Sequence, residues 1–226
     1  MTVNEALEQT ARKVSRRLSR WEIGVDGAIH ACAIIAGIVG SVVLLMFAAA
    51  NGKAADIAVA AIYCGGLLTM FGCSAAYNLG RFTRHGIWLR NLDQAAIFLM
   101  IASTYTPFTV LSLTGLWSVS FTIIVWTAAI LGILLRLLHG RLFDRVSVAI
   151  YLALGWMAIV IVAPLVQSID LSTLLLLATG GALYTIGVVF HLWEKLPFQT
   201  AIWHLFVVAA AATHFAAVMT SLASPA

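Results

Sequence analysis

Seven long apolar runs, separated by short polar punctuation, constrain this chain more than any other feature. They fall at about 26–50, 54–79, 91–112, 116–137, 146–166, 171–193 and 200–222, each close to the ~20 apolar residues that a helix needs to cross a bilayer. Strands of a membrane barrel would be ~10 residues long and alternate in polarity, and nothing in these runs alternates. Only 10% of the residues are charged and 62% are hydrophobic, where a soluble domain carries roughly 25% charged residues. Disorder is excluded, because it needs low hydrophobicity and high net charge. The three cysteines, Cys32, Cys64 and Cys73, lie inside apolar runs, and an odd number cannot pair completely within one chain, so a disulfide scaffold is excluded too. There is no Ser/Pro/Gly-rich linker and no internal repeat. Residues 1–226 therefore read as one domain of all-α class, an integral membrane bundle of seven transmembrane helices.

Lysine and arginine set the orientation. Of the 13 such residues, all but Lys53 fall in the N-terminal segment or in the second, fourth and sixth loops. The positive-inside rule then places the N-terminus in the cytoplasm and the C-terminus outside. The net charge of +4 is explained by that bias and gives no reason to expect nucleic acid; basic segments beside a membrane meet anionic lipid headgroups. Residues 1–21 read as a short amphipathic cytoplasmic helix preceding the bundle. Thr2 to Glu5 has capping-box spacing, and Leu7, Ala11, Val14, Leu18 and Trp21 share one face opposite the basic residues.

Polar and ionisable side chains within spans are costly, which makes them the first functional candidates. Glu22, Asp26 and His30 open the first span, Ser74 and Asn78 close the second, and Asn91, Asp93 and Gln94 open the third. His191 and Glu194 close the sixth, and Thr200 and His204 open the seventh. Under the orientation above, all of these lie in one cytoplasmic-side layer. Asp26 and His30, Ser74 and Asn78, and Thr200 and His204 are i, i+4 pairs, each on one helix face. The expectation is a polar cavity lined by Glu22, Asp26, His30, Ser74, Asn78, Asp93, His191, Thr200 and His204. His214 is ~15 Å further along the helix axis from His204 and stands apart. His85 and His139 read as solvated loop residues. Pro107 is expected to kink the third helix, and Gly180-Gly181 and Ala209 to Ala212 to allow close helix approach. Trp21, Trp88, Trp193 and Trp203 are expected near the cytoplasmic interface and Trp117 near the outer one.

The stretch Arg90-Asn91-Leu92-Asp93-Gln94-Ala95-Ala96-Ile97-Phe98-Leu99, followed by Thr104-Tyr105-Thr106-Pro107-Phe108, resembles the hemolysin III family, the bacterial branch of the progestin and adipoQ receptor (PAQR) superfamily. Leu183 to Gly187, Ala201 to Phe206 and His214-Phe215 support the likeness, which runs from about residue 20 to 220. The resemblance implies seven helices and a zinc ion near the cytoplasmic face. Its ligands would be the His of a Ser-x-x-x-His motif and both His of a His-x-x-x-His motif, with an Asp nearby. This chain reads Ser74-Ala75-Ala76-Tyr77-Asn78 and Thr200-Ala201-Ile202-Trp203-His204. Asn and Thr offer neither a basic nitrogen nor an anion at pH 7, so His204, with Asp93 beside it, is what remains of the metal site.

The residues and the resemblance together predict a bacterial inner-membrane protein with a degenerate metal site and no cofactor, acting in membrane homeostasis or sensing. Its partners would be membrane lipids, or a lipid or small-molecule ligand in the polar cavity. Two other functions compete. One is a zinc-dependent lipid-amide hydrolase of ceramidase type, with Asp93 as catalytic base and His204 and Asp93 at the metal. The other is a small-solute or ion transporter with Asp26, His30, Asp93 and His204 as relay members, although the outer half lacks polar residues to continue a pathway.

Overall fold

The computed structural model describes residues 19–143 and 146–223; the amphipathic segment expected before the bundle lies almost wholly outside them. Among the described residues there are helices and no strands, and seven helical spans are long and apolar enough to cross a membrane. In chain order these are α1 (Arg20–Ala50), α2 (Ala54–Gly80), α3 (Gly86–Pro107), α4 (Gly115–Phe143), α5 (Ser147–Gly155) with α6 (Val162–Ser168), α7 (Leu171–Leu192) and α8 (Gln199–Ala223). The protein is an integral membrane bundle of seven helices. Its outward faces carry exposed aliphatic residues such as Ile35, Val160 and Val189, the surface a bilayer requires.

The first span begins earlier than its apolar run, because Ser19 and Glu22 form a capping box. Ser19 Oγ accepts from the Glu22 N–H at 3.2 Å, and Glu22 Oε2 accepts from the Ser19 N–H at 2.8 Å, satisfying donors that a helix start leaves unpaired. From there one stripe of α1 turns inward: Glu22, Asp26, His30, Ala33, Gly37, Ser41, Leu44 and Ala48 are buried. These steps of four and three residues keep to a single face, polar at the start and apolar thereafter. The polar start of that stripe lies at the end of the bundle where Arg81, Arg84, Arg90 and Lys195 also lie, referred to below as the basic end.

α2 packs along α1 on one side and α3 on the other, α4 lies against α3, and α7 and α8 form a close pair that returns to α1. Glycine permits the α7–α8 approach. A side chain at Gly187 would meet Phe206 Cβ at 2.8 Å and the Trp203 ring at 3.0 Å, and His214 occupies the space beside Gly180. Three sequence expectations are refined. Pro107 ends α3 in a π-helical turn, Phe108–Ser112. Arg136, read as a loop residue, is fully buried in an α4 that extends to Phe143, where it donates to Asn91 Oδ1 at 3.0 Å and to Gly140 O at 3.0 Å. Trp203 turns inward against His191, ring centroids 5.0 Å apart, whereas Trp21, Trp88, Trp117 and Trp193 are exposed.

The fifth span is the irregular one. Between α5 and α6 the backbone tightens into a 3-10 stretch, Trp156–Ile161. Pro164 gives the reason: it lacks an N–H, and the break places it in the first turn of α6, where that donor would have no helical partner anyway. The break is tied to α3 by one hydroxyl. Tyr105 Oη lies 2.7 Å from Gly155 O and 3.1 Å from Leu154 O, sharing its proton between them, and accepts from the Ala158 N–H at 2.8 Å. Tyr105→Phe removes that junction while keeping the ring. It is expected to destabilise the protein by about 1–3 kcal/mol through unpaired backbone groups, read as a lowered midpoint in thermal unfolding of the detergent-solubilised protein.

Held by this break, the fifth span makes little direct contact with the other helices. The space it leaves is a cavity of about 370 Å³.

Candidate functional site

At the basic end, a carboxylate on α1 gathers side chains from the end of α2 and from α8. Asp26, 1% exposed, presents Oδ1 to His204 Nδ1 at 2.5 Å. Its Oδ2 accepts from Arg81 Nη2 at 3.0 Å and from the Asn78 carboxamide. Arg81 closes the loop by donating from Nε to Asn78 O at 3.2 Å. One buried anion is thus matched by three donors, one of them a guanidinium, the condition under which an interior charge is tolerated.

The two imidazoles have defined roles in this arrangement. His204 Nδ1 faces a carboxylate oxygen, so it carries the proton and donates. His30 Nδ1 lies 2.7 Å from Asp26 O, a carbonyl that can only accept, so it also donates. Each ring then turns its Nε2 toward the same atom. Ser74 Oγ is 3.0 Å from His30 Nε2 and 3.4 Å from His204 Nε2, and the rings meet edge to face with centroids 4.4 Å apart. Asp93 is hydrogen-bonded to the same Ser74 hydroxyl. Spacing along the chain explains the convergence, since Asp26 and His30 are one turn apart on α1, and Ser74 and Asn78 one turn apart on α2.

The cavity begins where these side chains end. His30, Ser74, Asp93, His191 and His204 line it at the basic end, together with Arg90 and Gln94. Beyond them the wall is mainly apolar and aromatic, from Ala33, Met70 and Ile101 to Leu165, Leu174 and Val208, with Tyr105, Tyr184 and His214 as polar interruptions.

Four residues expected on the cavity wall stand outside it. Asp26 and Asn78 lie behind the imidazoles. Glu22 caps α1 and also accepts from the Phe198 N–H at 2.7 Å, holding a residue with φ of 57°, a conformation that non-glycine residues seldom adopt. Thr200 Oγ1 bonds Gln199 Oε1 at 3.3 Å. Arg81, in contrast, was not among the candidates, because it reads as one more topogenic loop charge; its position three residues after Asn78 was the available sign that it shares that face.

These contacts test the zinc set that the resemblance implies. Asn78 and Thr200, at two of the three ligand positions, are engaged elsewhere. The potential ligand atoms of Asp26, His30 and His204 do lie within 4.8 Å of one another. Asp26, however, is already shared by Arg81, Asn78 and His204, and a divalent ion there would sit beside the guanidinium. Zinc sites keep three or four good ligands free of such competition. The residues present do not fit the family's zinc.

The sequence profile described as Haemolysin-III related matches residues 24–215. The chain is 34% identical over 190 residues to Hemolysin-3 of Bacillus cereus, covering 84% of this chain and 87% of that protein. It is likewise 34% identical over 190 residues to the Hemolysin-3 homolog of Bacillus subtilis (strain 168), covering 84% and 89%. The human monocyte to macrophage differentiation factor is 29% identical over 195 residues, covering 84% and 79%. No solved structure matches. A bundle of seven membrane-length helices, the profile match over most of the chain and these similarities lead to one assignment: the chain belongs to the haemolysin III family.

Proposed function

We propose that this haemolysin III protein holds the chain of a membrane lipid in its cavity, with the lipid's polar group at the Ser74–His30–His204 end, and acts in membrane homeostasis or sensing without a bound metal. The observation that carries the reading is the cavity itself, about 370 Å³, within the roughly 300–1,000 Å³ typical of ligand pockets. It is walled by apolar side chains and closed at one end by hydrogen-bonding groups, a match for an amphiphile rather than for a water-soluble solute. The arginine-rich end of the bundle belongs in the cytoplasm on this reading, in the inner membrane of a bacterium, where it faces anionic headgroups.

Native mass spectrometry of the protein extracted from membranes tests this. Wild type is expected to retain one lipid per chain. Val208→Trp and Ala178→Trp, which fill the cavity from α8 and α7, are expected to reduce retention about tenfold or more, a loss of ~1.4 kcal/mol of binding. A wild-type protein that carries no lipid, or tryptophan variants that retain it fully, would overturn the reading.

A further inference from the structure

Among the described residues, Ser74 is the one hydroxyl at the junction of the cavity and the charged cluster, and its surroundings go beyond what lipid retention requires. Its oxygen borders the cavity. Behind it the order is oxygen, imidazole, carboxylate: Ser74 Oγ to His204 Nε2 at 3.4 Å, then His204 Nδ1 to Asp26 Oδ1 at 2.5 Å. We propose that Ser74, His204 and Asp26 form a metal-independent acyl-transfer relay, with Ser74 as nucleophile toward the carbonyl of a long-chain acyl ester held in the cavity. The inference rests on the lipid reading above and adds a reaction to it.

Each residue has a reason for its role. A serine hydroxyl is a weak nucleophile unless a neighbouring base takes its proton. His204 directs Nε2 at Ser74 while its Nδ1 faces Asp26, and that carboxylate stabilises the imidazolium once it forms; recognition of such a relay is by geometry and not by sequence order. His30 is nearer to Ser74, at 3.0 Å, but its Nδ1 is engaged by the Asp26 carbonyl at 2.7 Å, with the carboxylate oxygen further off at 3.8 Å. It is therefore a positioning residue that holds Oγ in place. Arg81 pairs with Asp26 directly, Nη2 to Oδ2 at 3.0 Å, a charge role that asks nothing of a metal.

The bonds balance as follows. Ser74 Oγ bonds to the acyl carbon while its proton passes to His204 Nε2, and the ester C–O bond breaks as the departing alcohol takes that proton. Water then gives a proton to His204 and its oxygen to the acyl carbon. The fatty acid leaves and Ser74 recovers its hydrogen.

The test uses the full-length protein in nanodiscs and a decyl fluorophosphonate, whose chain suits the cavity and whose phosphorus reacts with activated serines, releasing fluoride. Peptide mass spectrometry is expected to find the adduct on Ser74 and none in Ser74→Ala. Labelling is expected to persist with a chelator present, to fall about 10³-fold or more in Asp26→Asn, as loss of the carboxylate does in known relays, and to fall further in His204→Gln than in His30→Gln. Where Asp26→Asn does not fold, the two histidine variants, each verified by its thermal midpoint, carry the test. An unlabelled Ser74 in protein that retains lipid by native mass spectrometry overturns the relay and leaves the lipid reading intact; absence of lipid overturns both. Wild-type labelling in His204→Gln, a larger loss in His30→Gln, or loss of labelling on chelation also overturns the relay.

Discussion

Alanine at position 26 is expected to destabilise the bundle by about 3–5 kcal/mol, the cost of breaking a buried ion pair from one side. The size of the effect comes from what is left behind. Arg81, whose side chain is 10% exposed, would lose its carboxylate, and the Asn78 carboxamide and His204 Nδ1–H would lose their acceptor with no water to replace it. At roughly 2–4 °C per kcal/mol for a chain of this size, the thermal midpoint in detergent should fall by about 10 °C. The companion variant separates charge from packing. Arg81→Met removes the cation and fills its volume, and in the Asp26→Ala background it should restore much of the loss, because no uncompensated charge remains. Additive losses in the double variant would mean that the two residues do not act as a pair.

The same pair marks the boundary of what the sequence could tell. Membrane spans are legible because hydrocarbon permits few solutions: a run long enough and apolar enough must be a helix. The polar layer is legible for a related reason, since Asp26, His30, Ser74 and His204 have no cheap place in a span unless they meet one another. What periodicity cannot supply is which neighbouring helix a given face opposes. Arg81 and Arg136 carry the same charge in sequences of similar appearance, yet one neutralises Asp26 on α1 and the other binds Asn91 on α3. The break in the fifth span was in part visible as Pro164; the hydroxyl that accommodates it, Tyr105, belongs to another helix and has no local signal. Likewise, the capping role of Glu22 is legible from Ser19 three residues earlier, while its bond to the Phe198 N–H is not. The cavity is the least legible feature, since it exists only where helices stay apart.

The proposed absence of a metal can be tested by building in the ligand set that the resemblance implies. Asn78→His together with Thr200→His restores the motif Ser-x-x-x-His at the end of α2 and His-x-x-x-His at the start of α8. Wild type is expected to purify without stoichiometric zinc, and the double variant with about one zinc per chain, the three-imidazole set of open zinc sites. Geometry favours the gain. Asn78 and His204 already contact opposite oxygens of the Asp26 carboxylate, and position 200 lies one helical turn from His204. A carboxylate backing a ligating imidazole is the usual outer support of such a site, so Asp26 would serve the metal as it now serves His204 alone. Arg81 works against it, its charge standing 3.0 Å from that carboxylate. The triple variant with Arg81→Met should therefore bind zinc more tightly than the double, by about tenfold for each ~1.4 kcal/mol of repulsion removed. Metal content by mass spectrometry of the purified proteins decides the matter. Stoichiometric zinc in wild type would show that Asp26, His30 and His204 hold a metal in spite of Arg81. A zinc-free double variant would show instead that the helices at positions 78, 200 and 204 have moved too far from the family's arrangement for three imidazoles to share one ion.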